Sequence, residues 1–472
     1  MSRSARGHTV LASTDGAAFA SLRHAAMPRA ERYAMGRERR RRVPRTTLAA
    51  WEEDGRAADP VQQVIADNEG RVDRLIPVRI GRMLASPFAF LRGAAAIMAA
   101  DFSPLPATGI TPVICGDAHL GNFGFYASPE RDLVFDLNDF DEAHPGAWEW
   151  DLRRLVTSVH VAGRQNGSSE DECGEAVRRC VRSYREHLSH LAAQPLLARA
   201  YDRLNLDRLH HTAVGAAGRR AIENAAARAR RRTSDRALPR FTEQHDGGLR
   251  LVDQPPLITR PDPEQYERIA VALDDYLRTL RTEWAAVVGG YRLVDVAHKV
   301  VGVGSVGLRA YIALCEGSSP DDVLFLQLKQ AQRSVVAQYV HGDSAWHDHQ
   351  GQRVVQYQHA LQTVSDPLLG WTTVGEHQYY VRQFRDMKGA VVVDGIDAAA
   401  LVDYAGVCGL LLAKAHARTS GASMITGYLG RSDKADRAFC LFARRYADQT
   451  ERDHAALQAA VDRGLLPAER GV

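Results

Sequence analysis

Leu293-Val-Asp-Val-Ala-His-Lys-Val300, Val301-Gly-Val-Gly-Ser-Val-Gly307 and Leu308-Arg-Ala-Tyr-Ile-Ala-Leu-Cys315 follow one another without a break in this 472-residue chain. The middle piece is a G-x-G-x-x-G pattern, which serves two unrelated designs. In one the glycine turn opens a helix and holds a dinucleotide; in the other it joins two strands above a nucleotide's phosphates. The flanks decide between them. The upstream piece is strand-like, and the downstream piece alternates β-branched and aromatic residues instead of starting an amphipathic helix. The stretch therefore predicts a hairpin. Its turn, with Gly302, Gly304, Ser305 and Gly307, would cover phosphates with backbone N–H groups.

Working outward, Gly317-Ser-Ser-Pro-Asp-Asp322 is a turn cluster, and Val323-Leu-Phe-Leu-Gln-Leu-Lys329 is an apolar strand that ends in a lysine. A strand-end lysine often only protects a sheet edge. Directly after a glycine hairpin it is placed to meet phosphates as a point charge, as the lysine on the third strand of a kinase does. Gln352 to Gln362 reads as a helix, and Trp371–Val374 and Gln378–Phe384 as two further strands, the second leading into a hinge.

The chemistry is expected from two motifs far upstream, Cys115-Gly-Asp-Ala-His-Leu-Gly-Asn122 and Val134-Phe-Asp-Leu-Asn-Asp-Phe-Asp141. Kinase-type sites need an aspartate to take the acceptor's proton, an asparagine five residues later on a metal, and a second metal-binding aspartate. Asp117 and Asn122 are five residues apart, and Asp136 follows Asp117 by nineteen. Turn capping is the simpler role for any single Asp or Asn; three correctly spaced groups favour a site. Asp117 is thus the expected base, Asn122 and Asp136 the expected magnesium ligands, and Asp139 a carboxylate for a second ion.

The order is inverted relative to kinases. The glycine turn and Lys329 come after the catalytic motifs by roughly 165 residues. Catalysis depends on positions in space, and one constellation can arise from several chain orders. The fold expected is therefore α+β: a rearranged protein-kinase-like two-lobe fold, of the kind a circular permutation produces, with one mostly helical lobe and one smaller antiparallel-sheet lobe.

Gly81-Arg-Met-Leu-Ala-Ser-Pro-Phe-Ala-Phe90, Cys115 to Gly124, Phe135 to Glu142 and Trp148-Glu-Trp-Asp151 together resemble the bacterial domain-of-unknown-function 2252 family over nearly the whole chain. That family is regarded as a distant relative of the protein-kinase-like superfamily, nearest in motif style to aminoglycoside and choline phosphotransferases. The resemblance implies His119 as the histidine of the catalytic loop and Asp151-Leu152 as the start of the helix after the metal loop. Two departures stand out. Cys115 replaces the histidine that usually precedes Gly-Asp, and no acidic residue lies between Asp348 and Asp366 to pair with Lys329 from the following helix.

The activity expected is ATP- and magnesium-dependent phosphoryl transfer to a hydroxyl, on a small-molecule or protein acceptor that the residues do not identify. The missing helix acid also admits a non-catalytic nucleotide binder. A third reading is a metal-dependent phosphoesterase using His341, His347 and His349, which Phe123 disfavours because it stands where such enzymes carry a histidine.

With 45% apolar residues the chain can bury more than one core. A net charge of +3 does not suggest a nucleic-acid binder. No apolar run is expected to reach membrane-spanning length, the six cysteines form no zinc spacing, and a soluble cytoplasmic protein is expected. The divisions expected are a basic arm over 1–55, a helical lobe with the catalytic and metal loops over 56–289, a strand-rich nucleotide lobe over 290–393, and C-terminal helices over 394–472. Within the helical lobe, Ser86-Pro87 is a good start for a helix from Phe88 to Ala100. The apolar stretch Ala398 to Arg418 reads as a helix whose final His416 and Arg418 favour its dipole, and a charged helix is expected from Asp433 to about Arg463.

Overall fold

Helix α1 (Arg29–Arg42) opens the computed structural model, which describes residues 27–52, 56, 58–205, 208–209, 215–245, 248–319, 322–340, 348–419 and 421–471. Of the expected N-terminal arm, residues 1–26 and 53–55 lie outside the described residues. Part of the remainder is docked: Arg40 and Arg45 donate to the last carbonyls of a C-terminal helix, those of Gly427, Tyr428 and Leu429. A basic run thus satisfies helix-end carbonyls that would otherwise lack partners.

The next helix near the site, α2 (Pro87–Gly93), starts as its sequence predicts. Ser86 accepts from the Ala89 N–H at 3.1 Å, and Pro87 fills the first position. It does not continue to Ala100 as a single helix. Ala94 leaves helical geometry, and a second helix runs Ala95–Phe102. The break has a packing cause: fully buried Arg79 donates to the Gly93 carbonyl, and the side chain of Met83 fills the space beside Gly93.

Strands β1 (Val113–Ile114), β2 (Phe123–Ala127), β3 (Leu133–Leu137) and β4 (His144–Pro145) form the floor that carries both acidic motifs. β1 pairs with β4, and β2 with β3, all antiparallel. Helices α3 (Trp148–Gln165) and α4 (Glu170–Ala193) come next, and α4 begins with a reciprocal capping box between Ser169 and Glu172. A hairpin of β5 (Thr242–His245) and β6 (Gly248–Leu251) and the short β7 (Ile258–Thr259) lead to helix α5 (Pro263–Leu277).

The predicted glycine hairpin is formed by β8 (Arg292–Lys299) and β9 (Ala310–Glu316), and β10 (Val323–Gln330) adds to it. After β10 come helix α6 (Gln350–Leu361) and strands β11 (Gly370–Val374) and β12 (His377–Gln383). The sheet order is β11-β12-β10-β9-β8-β7, antiparallel throughout. β9 and β10 read as unbroken apolar runs because both their faces are covered. Leu324, Leu326 and Leu328 pack with Tyr276 of α5, whereas Phe325 packs with Phe241 and Phe384 on the other face.

Strand β13 (Gly389–Ala390) crosses back to pair with β2. The chain then ends in α7 (Ala398–Arg418), α8 (Ala422–Leu429) and α9 (Lys434–Asp462). Contrary to the sequence expectation, α7 is long and apolar enough to cross a membrane; its apolarity is instead used inside the protein, where most of it is buried against α4. All six cysteines are free thiols, five of them buried. The class is α+β with antiparallel sheets, as expected.

Candidate functional site

Asp117 lies on the loop between β1 and β2. Gly116 makes the loop possible: its φ is +76°, and a Cβ there would come within 2.2 Å of the Glu142 carbonyl oxygen. Behind the loop, Asp151 in the first turn of α3 accepts the N–H groups of Cys115 at 2.7 Å and Gly116 at 2.9 Å. Asp151 is in turn met by His416 Nε2 at 3.2 Å, and His416 Nδ1 lies 2.8 Å from the Tyr184 hydroxyl. His416 is fully buried, so it is a prop for the loop that carries Asp117, beyond the dipole role read from the sequence.

The Asp117 carboxylate pairs with Arg154 of α3. Burial pushes its pKa up to about 6, against the opposing charge of Arg154. His119 is buried, its Nδ1 accepts from the Gly121 N–H at 3.0 Å, and its Nε2 lies 3.8 Å from Asp117. Burial, then Arg154 and Arg92, hold the imidazole well below its usual pKa, so it is neutral at pH 7. Asn122 donates its side-chain amide to the Asp117 carbonyl at 2.7 Å, which leaves its side-chain oxygen as the atom able to meet a cation.

The second loop brings Asp139 and Asp141 to the same cleft. Lys329, at the end of β10, reaches Asp141 at 2.8 Å and Asp139 at 3.8 Å. Segments separated by 188 positions therefore meet at one ion cluster. Burial alone would depress the Lys329 pKa, but Asp139 and Asp141 outweigh it and the net shift is upward. Burial and Asp141 push Asp139 up, while Lys329 overcomes burial at Asp141 and holds it down. Cys115 donates its thiol to the Asp139 carbonyl at 3.2 Å and so ties the two loops together. The missing helix acid is replaced in place: on α6 the buried Arg353 donates to the carbonyls of Asp141 at 2.7 Å and Ala143 at 2.6 Å, and Asp141 itself is the lysine's counter-ion.

The glycine turn closes the cleft from above. Gly302 and Gly307 have φ of +72° and +89°, a conformation open mainly to glycine. Its carbonyl edge is clamped from outside. Arg71 donates to Gly304 and Val306, Arg82 to Gly302, and the Val72 N–H to Gly307, all between 2.6 and 2.8 Å. Gly302, Gly304 and Ser305 line a cleft of about 590 Å³ together with Asp117, His119, Asn122, Asp139 and Asp141. That size suits a small-molecule site.

The family model described as "Uncharacterized protein conserved in bacteria (DUF2252)" matches residues 71–460, most of the chain and all the residues just described. The chain belongs to the DUF2252 family. Neither a curated protein nor a solved structure matches it.

One expected site residue of this DUF2252 protein is corrected. Asp136 does not reach the cleft. It is fully buried on β3 and forms an ion pair with Lys414 of α7, which also lies 3.2 Å from the Thr363 hydroxyl. β3 is buried along its whole length, so the apolar pattern around Asp136 carried no sign of which face the carboxylate takes. Asp139, three residues on, does line the cleft, as Asp141 does. Gly307 shapes the glycine turn without lining the cleft, and Lys329 enters through its contact with Asp139 and Asp141.

Among the described residues no three His, Cys, Asp or Glu gather as a metal cage. His341 and His347 lie outside the described residues. His349 caps α6 through the Gln352 N–H at 3.1 Å and meets the Thr373 hydroxyl at 3.1 Å. Asp151 was marked by its motif only as the start of a helix, and Arg154, His416, Arg71 and Lys414 were not recognised as parts of this assembly from the sequence. Each of these four contacts its partner across at least 37 positions, with no motif to mark it.

Proposed function

We propose that this protein is an ATP- and magnesium-dependent phosphotransferase of rearranged protein-kinase-like fold, moving the γ-phosphoryl group to a hydroxyl of its acceptor. The observation that carries the reading is the meeting of Lys329 with Asp139 and Asp141 in the cleft that also holds Asp117, Asn122 and the glycine turn. A glycine turn between the first two strands of a meander, a lysine on the third and a helix after it is the arrangement kinases use around nucleotide phosphates. Asp139-Phe140-Asp141 then takes the place of the metal-binding D-F-G segment.

The donor set fits magnesium. Asn122 offers an amide oxygen, and Asp139 offers a carboxylate that lines the cleft and is 40% exposed there. Magnesium commonly takes one or two carboxylates, with phosphates and water completing its shell, so a full protein cage is not required. Bound there, the ion would neutralise phosphate charge. Asp117, held at the cleft by Arg154, would accept the hydroxyl proton as the acceptor oxygen bonds to phosphorus and the bond to ADP breaks. Lys329 would offer its ammonium to the phosphates, and the turn's N–H edge would cover them.

The test is a nucleotide thermal shift with and without magnesium on wild type, Asp139→Ala and Asp136→Ala. Wild type is expected to show a magnesium-dependent rise with ATP, lost in Asp139→Ala. Asp136→Ala should melt lower without ligand yet keep the magnesium-dependent part. The reading fails if wild type shows no such rise, or if Asp139→Ala keeps it in full.

A further inference from the structure

Arg92 stands in the last turn of α2 and lines the cleft beside Asp117 and His119, on whose titration its charge acts. Its backbone carbonyl lies 3.2 Å from where a Cβ on Gly304 would sit, so the tip of the glycine turn rests on Arg92. Its side chain passes close to the catalytic loop, with Nε 3.5 Å from the corresponding point on Gly121. Arg92 therefore spans from the glycine turn, at its carbonyl, to the loop that carries Asp117, at its guanidinium.

Neighbouring cations are committed. Arg154 is held by Asp117 and the Leu91 carbonyl, Arg71 by Asp67 and the turn's carbonyls, and Lys329 by Asp141. Arg92 differs: among the described residues nothing accepts a hydrogen bond or ion pair from its guanidinium, and its Nε is buried without a partner. A helix C-terminus tolerates a cation, which would account for charge at this position. It does not account for a buried donor left unpaired in a polar cleft, which costs free energy until an acceptor arrives.

We propose that Arg92 is a catalytic residue whose guanidinium grips the phosphoryl group in transit between the glycine turn and Asp117. This rests on the phosphotransferase reading of the cleft. The planar fork donates two parallel N–H bonds to oxygens of one phosphoryl group, and negative charge is spread over those oxygens as the bond to ADP breaks. The proton still goes to Asp117; Arg92 transfers nothing and neutralises charge.

The experiment compares thermal shifts with Mg·ADP and with Mg·ADP plus aluminium fluoride, a stand-in for the phosphoryl group in flight, on wild type, Arg92→Ala and Arg92→Lys. No acceptor is present, so an anionic group on an acceptor cannot produce the response. All three proteins are expected to respond equally to Mg·ADP. The fluoride should add a further rise in wild type, a smaller one in Arg92→Lys and none in Arg92→Ala, whose acceptor-independent ATP hydrolysis should fall about a hundredfold or more. An added rise retained in Arg92→Ala, or absent from wild type that does bind Mg·ADP, overturns the role of Arg92 alone. Wild type blind to Mg·ADP overturns the phosphotransferase reading and this role with it. If Arg92→Ala melts lower without ligand, Arg92→Gln, which keeps length without charge, takes its place with the same expected loss.

Discussion

Asp117 is pulled in opposite directions, by burial toward the neutral acid and by Arg154 toward the carboxylate, with Asp139, His119 and Arg92 also facing it. With its pKa pushed up to about 6, Asp117 is mostly deprotonated at pH 7, as the proposed base must be, and becomes protonated as pH falls. The expected kcat/KM profile is therefore level above about pH 7 and falls toward tenfold per unit below about pH 6. Arg154→Ala removes the opposing charge and should move that limb to higher pH, measured as a shift in the acidic midpoint with Mg·ATP saturating. Asp117→Asn should lower kcat by about two to four orders of magnitude while leaving nucleotide binding in place. At this scale the convergence of Asp117, Asn122 and Lys329 on one cleft was legible, because spacing and strand position carry that information. The side of β3 that Asp136 faces was not, since a strand covered on both faces has no alternation to read and its partner Lys414 lies 278 positions away.

Among the elements, α7 reaches the floor of the site at two points. Lys414 neutralises Asp136 beneath β3, and His416 supports Asp151 beneath the catalytic loop. Removing one partner of a buried pair strands the other charge, so Lys414→Ala is expected to lower unfolding free energy by about 3–5 kcal/mol in urea titration. Asp139→Ala, at a partly open position, should change it little. Asp151→Ala leaves the buried Cys115 N–H and the part-buried Gly116 N–H unmet, and the first alone should cost about 1–3 kcal/mol. Its kcat should fall further than its loss of stability explains, because the loop carrying Asp117 loses its anchor; comparison with kcat of Lys414→Ala at matched folded fraction checks this. The glycine hairpin, the strand of Lys329, α6 and α7 were all readable from periodicity and turn residues. The break at Ala94 and helix α8 were not, since tertiary contacts decide them: Arg79 draws off the Gly93 carbonyl, and α1 packs on α8.

For the whole molecule, the inverted motif order proves compatible with one cleft. The N-terminal part supplies its lid clamp through Arg71 and Arg82, the middle supplies the carboxylates, and the sheet supplies the lysine. That clamp could not be read in advance, because two arginines among many carried no distinguishing pattern. Arg71→Ala is expected to raise the apparent KM for ATP several-fold with a smaller change in kcat, as the turn loses the donors that hold its carbonyls. Whether the segment around Asp117–Asp141 and the distant strand ending in Lys329 form a single Mg·ATP site is decided by titration calorimetry with ATP. Wild type should bind ATP in magnesium, and Lys329→Met and Asp139→Asn should each weaken that binding by about tenfold or more, with far weaker binding by wild type in EDTA. Equal ATP affinity in all three proteins, with or without magnesium, would contradict a single site.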